Sequence, residues 1–434
     1  MRVCLAAYDT DPNTGGVHSW NVRFLAELQR QGWTPSCTIY SSCPVGHAGT
    51  LERELMKLGI EFRRVRYEQF TEENVDWTVD AVQDLKADAF ITNCILPAWY
   101  ASPKLEAKGV PCIGVNHSDD PFYAALMQQC VSKEGWYQLA GLVAVSSYLE
   151  EFANRISNGS TSISRIPCGI ERISETAEFS RNKDSAEPVQ NQEFKLAYAG
   201  RFVEEQKQVS RVAECMCAAA NKYPNFRGYF IGNGPAEESI KRIIRDTGCE
   251  SQVEIIGWLP VEQMIPTLAK MDAIALLSDY EGLPVVLLEA MSVGVIPICT
   301  RMKSGVQELI QDGKNGIFAQ PQPEAFTLEV GKLIDNLEFR HRLSKQARAT
   351  IEDEYLISVC TERWMQFIQT VVRDFSPETI GRPRTNLPPL HRDLEWCDNR
   401  QPSPALLLRD KLQKRAAKLK RSVLKRAHKI LGRS

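Results

Sequence analysis

Glu281 and Glu289 stand eight residues apart in the run Leu276-Leu277-Ser278-Asp279-Tyr280-Glu281-Gly282-Leu283-Pro284-Val285-Val286-Leu287-Leu288-Glu289-Ala290-Met291. The run reads as a buried strand ending near Leu277, a short loop, and a helix. Pro284 suits the first turn of that helix, because the amide hydrogen it lacks is unpaired there anyway. Backbone N–H groups from Gly282 to Val285 at this helix start form an anion site at the carboxyl end of a strand. Glu281 falls in the loop. Glu289 falls more than one turn into the helix, among Val285, Leu288, Ala290 and Met291, where an unpartnered carboxylate is costly. Either both glutamates are solvated surface groups, or they face a ligand held at the strand's end.

Cations come from a second run, Ala199-Gly200-Arg201-Phe202-Val203-Glu204-Glu205-Gln206-Lys207, directly after the strand expected at 194–199. Arg201 and Lys207 at a strand's carboxyl end suit a diphosphate whose negative charge grows as it departs. Gly232 and Gly234, in Ile231-Gly232-Asn233-Gly234-Pro235, make either a plain tight turn or a phosphate-side turn. Gly15 and Gly16, in Asn13-Thr14-Gly15-Gly16-Val17, follow the first strand. They either let the backbone approach a ligand closely or simply turn the chain. His117, one of six histidines, ends the strand expected at 111–116; it is either structural or a cleft-facing group.

Apolar runs alternate with helical patterns in two stretches. The first holds strands expected at 2–7, 36–41, 88–92, 111–116, 142–145 and 163–166. The second holds them at 194–199, 227–231, 253–256, 273–277, 295–299 and 316–319. Such alternation predicts an α/β protein of two Rossmann-like βαβ domains with parallel sheets, and ligands at the carboxyl ends of the strands. A polar gap from Arg172 to Glu193 separates the stretches. The boundaries expected are 1–185 for the first domain and 186–355 for the second. A proline-broken linker follows at 376–403, then a tail at 404–434.

The 434 residues are 43% hydrophobic and 24% charged, which excludes collagen-like and wholly disordered chains. The longest apolar runs fall far short of a membrane span, and Met1–Asp9 turns polar too soon for a secretory signal peptide. Thirteen scattered cysteines, with no CxxC, argue against a zinc site and against disulfide pairing, and so for the cytoplasm.

Charge is unevenly spread. Residues 401–434 hold eleven Lys or Arg and one acid, Asp410, for a net +10; the other 400 residues carry a net −12. After Ser403 and Pro404, a good helix start, the residues Leu408, Leu412, Ala416, Leu419, Val423, Ala427 and Ile430 fall on one narrow helical face. This predicts a basic amphipathic C-terminal helix on an anionic membrane surface, peripheral on its cytoplasmic face. A solvated helix or a partner-binding coil is the alternative. Nucleic acid is disfavoured, because the tail has no Phe, Trp or Tyr to stack on bases.

Taken in order, these pieces resemble retaining glycosyltransferases of family 4, which have the GT-B fold of two Rossmann-like domains facing a cleft. The match covers most of residues 1–375. Its most specific part is Glu281-x7-Glu289, followed by Ser304-Gly305-Val306-Gln307-Glu308-Leu309-Ile310 and Asp312-Gly313-x-Asn315-Gly316. Val145-Ser146 and Ile166-Pro167-Cys168-Gly169-Ile170 support it. The resemblance implies a nucleotide diphosphate sugar as donor substrate, a hydroxyl acceptor on a glycan or lipid-linked molecule, no other cofactor, and no metal. It implies catalytic roles for His117, Arg201, Lys207 and Glu281. Donor contacts would come from Gly15, Gly16, Gly232, Gly234, Gly282, Leu283, Pro284 and Glu289, with Glu289 on the ribose. It also implies that residues 356–375 form a helix crossing back to the first domain, with Trp364, Phe367 and Val371 as its buried stripe. Cys168 stands where the family usually has Asn, Gln208 where Gly commonly follows the lysine, and Ser304 where a first Gly is usual. Another GT-B enzyme, such as a sugar-nucleotide epimerase or sugar phosphate synthase, and a catalytically silent GT-B scaffold at the membrane are the rival readings.

Overall fold

Strands such as Ala89–Asn93 and Cys112–Asn116 are buried along their whole length. A strand with no solvated face needs helices on both sides of its sheet, the arrangement of parallel βαβ units. The computed structural model, which describes residues 1–11, 15–173, 193–377 and 386–401, has two such sheets. The first contains β1 (Arg2–Asp9), β2 (Thr34–Ser41), β3 (Glu61–Arg66), β4 (Ala89–Asn93), β5 (Cys112–Asn116), β6 (Gly141–Ala144) and β7 (Ser162–Arg165). Between them run α1 (Gly16–Arg30), α2 (Thr50–Leu58), α3 (Thr71–Asp84), α4 (Leu96–Glu106), α5 (Pro121–Cys130) and α6 (Ser147–Ile156). The second sheet contains β8 (Phe194–Ala199), β9 (Phe226–Ile231), β10 (Val253–Gly257), β11 (Ala273–Leu276), β12 (Ile296–Cys299) and β13 (Ile317–Phe318). Its helices are α7 (Val209–Lys222), α8 (Glu237–Asp246), α9 (Val261–Leu268), α10 (Val285–Ser292), α11 (Val306–Leu309), α12 (Pro323–Asp335) and α13 (Leu337–Glu354).

All pairings within both sheets are parallel, in the orders β3-β2-β1-β4-β5-β6-β7 and β10-β9-β8-β11-β12-β13. The order reverses between β1 and β4 and again between β8 and β11. At these switch points the connections leave in opposite directions and open a crevice at the strand ends. The turns carrying Gly15, Gly16, Lys207 and Glu281 follow β1, β8 and β11.

All twelve expected strands lie within two residues of their places. A thirteenth, β3, was not expected. Its sequence, EFRRVR, is charged because it is an edge strand with one neighbour, where charge blocks further pairing. Pro284 is the residue before α10 rather than in its first turn, so the helix starts one residue later than expected.

After α13 comes α14 (Ile357–Asp374), which lies against α1 of the first domain. Trp364 meets Phe24 at 5.2 Å and Trp20 at 6.0 Å between ring centroids. A Cβ at Gly141 on β6 would lie 3.1 Å from Val371 and 3.3 Å from Phe367. Trp364 and Val371 are buried, and Phe367 partly so. One apolar cluster is thus common to both domains, from Trp20 and Phe24 through Trp364 to Leu287 and Leu288.

The stretch expected as a linker needs correction. Residues 386–401 pack on the first domain: Leu394 is fully buried, Gln129 Nε2 donates to Pro389 O at 3.0 Å, and Thr71 N donates to Asn399 O at 2.7 Å. Prolines exclude regular helix there but not side-chain burial. The expected tail helix at 404–434 lies outside the described residues, as do Asn13 and Thr14. No helix among the described residues is long and apolar enough to cross a membrane.

Candidate active site at the interdomain cleft

On the second domain, the turns after β8 and β11 are laced together. Asp279 N donates to Gln206 O at 2.9 Å, Gln206 Nε2 donates to Tyr280 O at 3.2 Å, and Gln208 Nε2 donates to Asp279 Oδ2 at 2.5 Å. That lacing sets Lys207 Nζ 2.5 Å from Glu281 Oε1, with side chains only 14% and 7% exposed. Arg201 stays exposed on the rim. Its guanidinium donates to Gln206 Oε1 at 3.2 Å and makes no ion pair with Glu281. Gly232 and Gly234 adopt left-handed φ values of 139° and 153°, and a Cβ on either would collide with the backbone of Gly200 or Phe202. The two glycines therefore let the turns after β8 and β9 pack backbone to backbone.

Around His117 the first domain's rim is neutral. Asn93, at the end of β4, has a left-handed φ of 48°, and its Nδ2 donates to Ala6 O at 3.1 Å and to Asn21 Oδ1 at 3.0 Å. These two acceptors fix the amide's orientation, leaving Oδ1 to face His117 Nε2 at 2.7 Å. Nε2 must then carry the hydrogen and Nδ1 remains an acceptor. Burial, with the Trp20 ring packed edge-on at 5.2 Å between centroids, pushes the His117 pKa down from 6.5 to about 3, so the imidazole is neutral. Gly15 precedes α1 with open space where a Cβ would stand, whereas a Cβ on Gly16 would lie 3.1 Å from Val285 Cβ of the opposite domain.

Across the cleft the rims touch. A Cβ on Gly282 would lie 1.8 Å from His117 O, so only glycine permits this approach. Leu283 is buried beside Gly305, and Gly305 N donates to Gly282 O at 2.7 Å. Glu289, buried as expected of its apolar setting, accepts from Arg23 Nη2 of α1 at 2.6 Å. A second pair joins Arg165 of β7 to Glu308 of α11 at 3.2 Å, and Glu308 also accepts from Ser147 N at the start of α6.

Sequence reasoning missed Arg23, Asn93 and Arg165. Asn93 was findable, since it ends a buried strand just as His117 does. Two other runs hold the fold together. Asn315 accepts from Gln311 N and donates to Leu309 O, while Ile170 exchanges backbone bonds with Tyr355 and Ile357 where the chain crosses. Ser304 Oγ accepts from Val306 N at 3.2 Å at the start of α11, and Cys168 is buried with its thiol pushed up to about 12. Cavities of about 420 Å³ beside β10 and 390 Å³ around Glu106 and Tyr137 hold none of the cleft residues. Among the described residues no group of three or more His, Cys, Asp or Glu could hold a metal ion.

Residues 180–350 match the family described as Glycosyl transferases group 1. Over 168 residues the chain is 31% identical to the putative colanic acid biosynthesis glycosyltransferase WcaL of Salmonella typhimurium, covering 37% of each protein. It is 24% identical over 170 residues to the lipopolysaccharide core biosynthesis glycosyltransferase LpsE of Rhizobium meliloti, covering 39% of this chain and 48% of that one. The matched part therefore spans less than half the length of these relatives. Anabaena Alr3699/HepE in complex with UDP superimposes with a TM-score of 0.66 at 15% identity, over 85% of this chain and all of that one. The architecture is the two-domain GT-B fold, and its second half carries the sequence pattern of group 1 glycosyl transferases.

Proposed function

We propose that this protein is a retaining glycosyltransferase that moves a sugar from a nucleotide diphosphate sugar to a hydroxyl on a glycan or lipid-linked acceptor, without a metal ion. The observation that carries the reading is the Lys207–Glu281 pair at the β8/β11 crevice, with Gly282 packed against His117 of the opposite rim. The named relatives, which serve colanic acid and lipopolysaccharide synthesis, point to an envelope or secreted glycan as the acceptor class.

In this reading Lys207 and Arg201 take up the charge that grows on the departing diphosphate, together with the amides at the start of α10. Glu281 positions the donor sugar and phosphate, and Glu289 accepts from the ribose hydroxyls. His117 Nδ1 accepts from a donor-sugar hydroxyl, while Gly15 and Gly16 leave room for the phosphates and the acceptor. The acceptor oxygen bonds to the anomeric carbon on the face from which the phosphate leaves. The acceptor's proton passes to the departing phosphate oxygen, so no side-chain nucleophile is needed.

The test is incubation with UDP-, GDP- and ADP-sugars, with and without glycan or lipid-linked acceptors, in the presence of EDTA. Acceptor-dependent nucleotide release, with the product keeping the donor's anomeric configuration, is the expected outcome. Transfer that EDTA abolishes removes the metal-free claim, and an inverted product removes retention. Sugar-nucleotide isomerisation without an acceptor means an epimerase, transfer to a sugar phosphate alone means a sugar phosphate synthase, and nucleotide binding without turnover means a silent scaffold.

Residues 404–434 complete the proposal as a basic tail that holds the enzyme at the cytoplasmic face of an anionic membrane, near a lipid-linked acceptor. The full chain should co-sediment with anionic vesicles at low salt, and a chain ending at residue 401 should not. Equal binding by both chains, or binding that ignores lipid charge, refutes it.

A further inference from the structure

Glu289 is the donor-domain carboxylate to which the proposed function gives the ribose hydroxyls, yet its partner belongs to the other domain. Arg23 stands on the second turn of α1, between the ring-bearing residues Trp20 and Phe24, which stack on each other at 5.1 Å. Its Nη2 reaches Glu289 Oε1 at 2.6 Å, and the two side chains are 12% and 10% exposed. The other interdomain pair among the described residues, Arg165–Glu308, is wetter, at 24% and 18%, and its carboxylate caps a helix start besides. Glu289 Oε2 takes no hydrogen bond from any described residue, and Arg23 Nη1 is sealed from solvent without a partner. A pair built to hold the domains together would have used both forks of the guanidinium and both carboxylate oxygens. This one uses a single contact and leaves Oε2 available.

We propose that Arg23 is a positioning residue for donor binding. From the acceptor-side domain it fixes Glu289 so that Oε2 meets the ribose, and the donor site is therefore complete only when the two domains are together. The proposal rests on the ribose role of Glu289 given above. Two consequences follow. Removing Arg23 leaves Glu289 buried without its partner and free to rotate, which weakens its grip on a ribose. Nucleotide binding and domain closure also become linked, because each favours the arrangement in which Arg23 and Glu289 are in contact.

The test measures the affinity of UDP, GDP and ADP by calorimetry, using whichever binds the wild type most tightly, and then donor KM and kcat. The variants are Arg23→Met, Arg23→Gln, Arg23→Lys, Glu289→Gln, the Arg23→Met/Glu289→Gln double change, and Arg165→Met as a control. Expected are a rise of roughly tenfold to a hundredfold in nucleotide Kd and donor KM for Arg23→Met, the range for losing a hydrogen bond to a charged group, with kcat at saturating donor within about threefold. Arg23→Gln should move the same way, and Arg23→Lys should recover part of the loss. The double variant should bind no worse than Glu289→Gln alone, because both changes act through one carboxylate. Misfolding lowers the active fraction, and so kcat, without raising donor KM; if Arg23→Met does not fold, Arg23→Gln decides. Wild-type affinity in the folded Arg23 variants beside a weakened Glu289→Gln overturns the positioning role and leaves the donor reading standing. Full additivity in the double variant, or an equal rise in donor KM for Arg165→Met, also overturns it. Wild-type affinity in Glu289→Gln removes the ribose role itself, and a wild type that binds no nucleotide removes both readings.

Discussion

The two rims of the cleft use different chemistry. The second domain's carboxylates are already in close pairs, Glu281 with Lys207 of the same domain at its centre and Glu289 with Arg23 of the first domain's α1 at its edge. The first domain presents a neutral relay in which Ala6 orients Asn93 and Asn93 orients His117. A buried ion pair is expensive to form and gains little stability, so stability alone does not account for Lys207 and Glu281. A chain of neutral, oriented hydrogen bonds suits hydroxyl groups, whose recognition depends on direction. Under the proposed function the two rims match the two parts of a donor, its diphosphate and its sugar hydroxyls, and variants on each rim can break that match.

The largest effect is expected on the charged rim. Lys207→Ala should lower turnover by roughly a hundredfold to a thousandfold, the upper range for losing a preorganised donor at a developing charge. It removes the cation and also leaves Glu281, 7% exposed, without its partner beside an anionic ligand. Arg201→Ala should cost less, roughly tenfold, because Arg201 is exposed and screened by solvent ions. Turnover at saturating donor, with melting curves to show that the fold survives, measures both. Arg201→Ala more damaging than Lys207→Ala would mean that the paired lysine is structural and the rim arginine meets the phosphates.

On the neutral rim, His117→Ala should lower turnover by roughly tenfold, the lower end for one lost preorganised group, while nucleotide affinity stays near the wild type. With a pKa near 3, His117 adds no inflection to the wild-type activity profile between pH 5 and 8. Asn93→Asp would put a carboxylate where an oxygen now lies 2.7 Å from Nε2, favouring imidazolium and raising that pKa. Activity of this variant should then fall as the pH drops, since the imidazolium has no acceptor at Nδ1. Stability follows the same sign. The folded pKa lies below the unfolded value of 6.5, so the unfolded chain binds the extra proton, and stability drains as the pH falls from 6.5 toward 3. His117→Gln should flatten that part of the stability curve. An Asn93→Asp profile identical to the wild type would mean that the relay does not govern His117.

The charged rim was the more legible in the sequence because its groups are local. Lys207 follows the β8 strand within one turn of chain, and Glu281 follows β11 in the same way, so the rule that ligands sit at strand ends finds both. Both sheets were legible for the same reason, since buried strands such as Ala89–Asn93 advertise themselves by an unbroken apolar run. What stayed hidden depends on contacts distant in the chain. Arg23 reads as one cation on an amphipathic helix, and nothing near it announces a carboxylate 266 residues away. The β3 strand reads as polar because its outer edge is, and Leu394 is held by a surface that no local pattern describes.

The smallest effect concerns Gln208, beside Lys207 on the charged rim, where glycine is usual in the family that the chain resembles. Its backbone is left-handed, with φ 50° and ψ 44°, and for a residue with a Cβ that costs about 1–2 kcal/mol. Part of the cost is offset by the bond from its Nε2 to Asp279 Oδ2 at 2.5 Å, which ties the β8 and β11 turns together. Gln208→Gly relieves the strain but frees about 0.5–1 kcal/mol of backbone entropy in the unfolded chain and loses that bond. The terms nearly cancel, so the melting temperature should move by no more than about 3 °C in either direction. Gln208→Ala keeps the strain and loses the bond, so it should melt lower than Gln208→Gly by a few degrees, about 1 kcal/mol. Turnover should stay within about twofold for both, since Asp279 remains paired with Arg211 at 3.2 Å and the Gln206 bonds still hold the lysine's turn. A Gln208→Ala variant that melts above Gln208→Gly would show that the left-handed backbone carries no strain. A tenfold loss of turnover in either variant would show that this one side-chain bond, rather than the backbone lacing, aims Lys207 at the cleft.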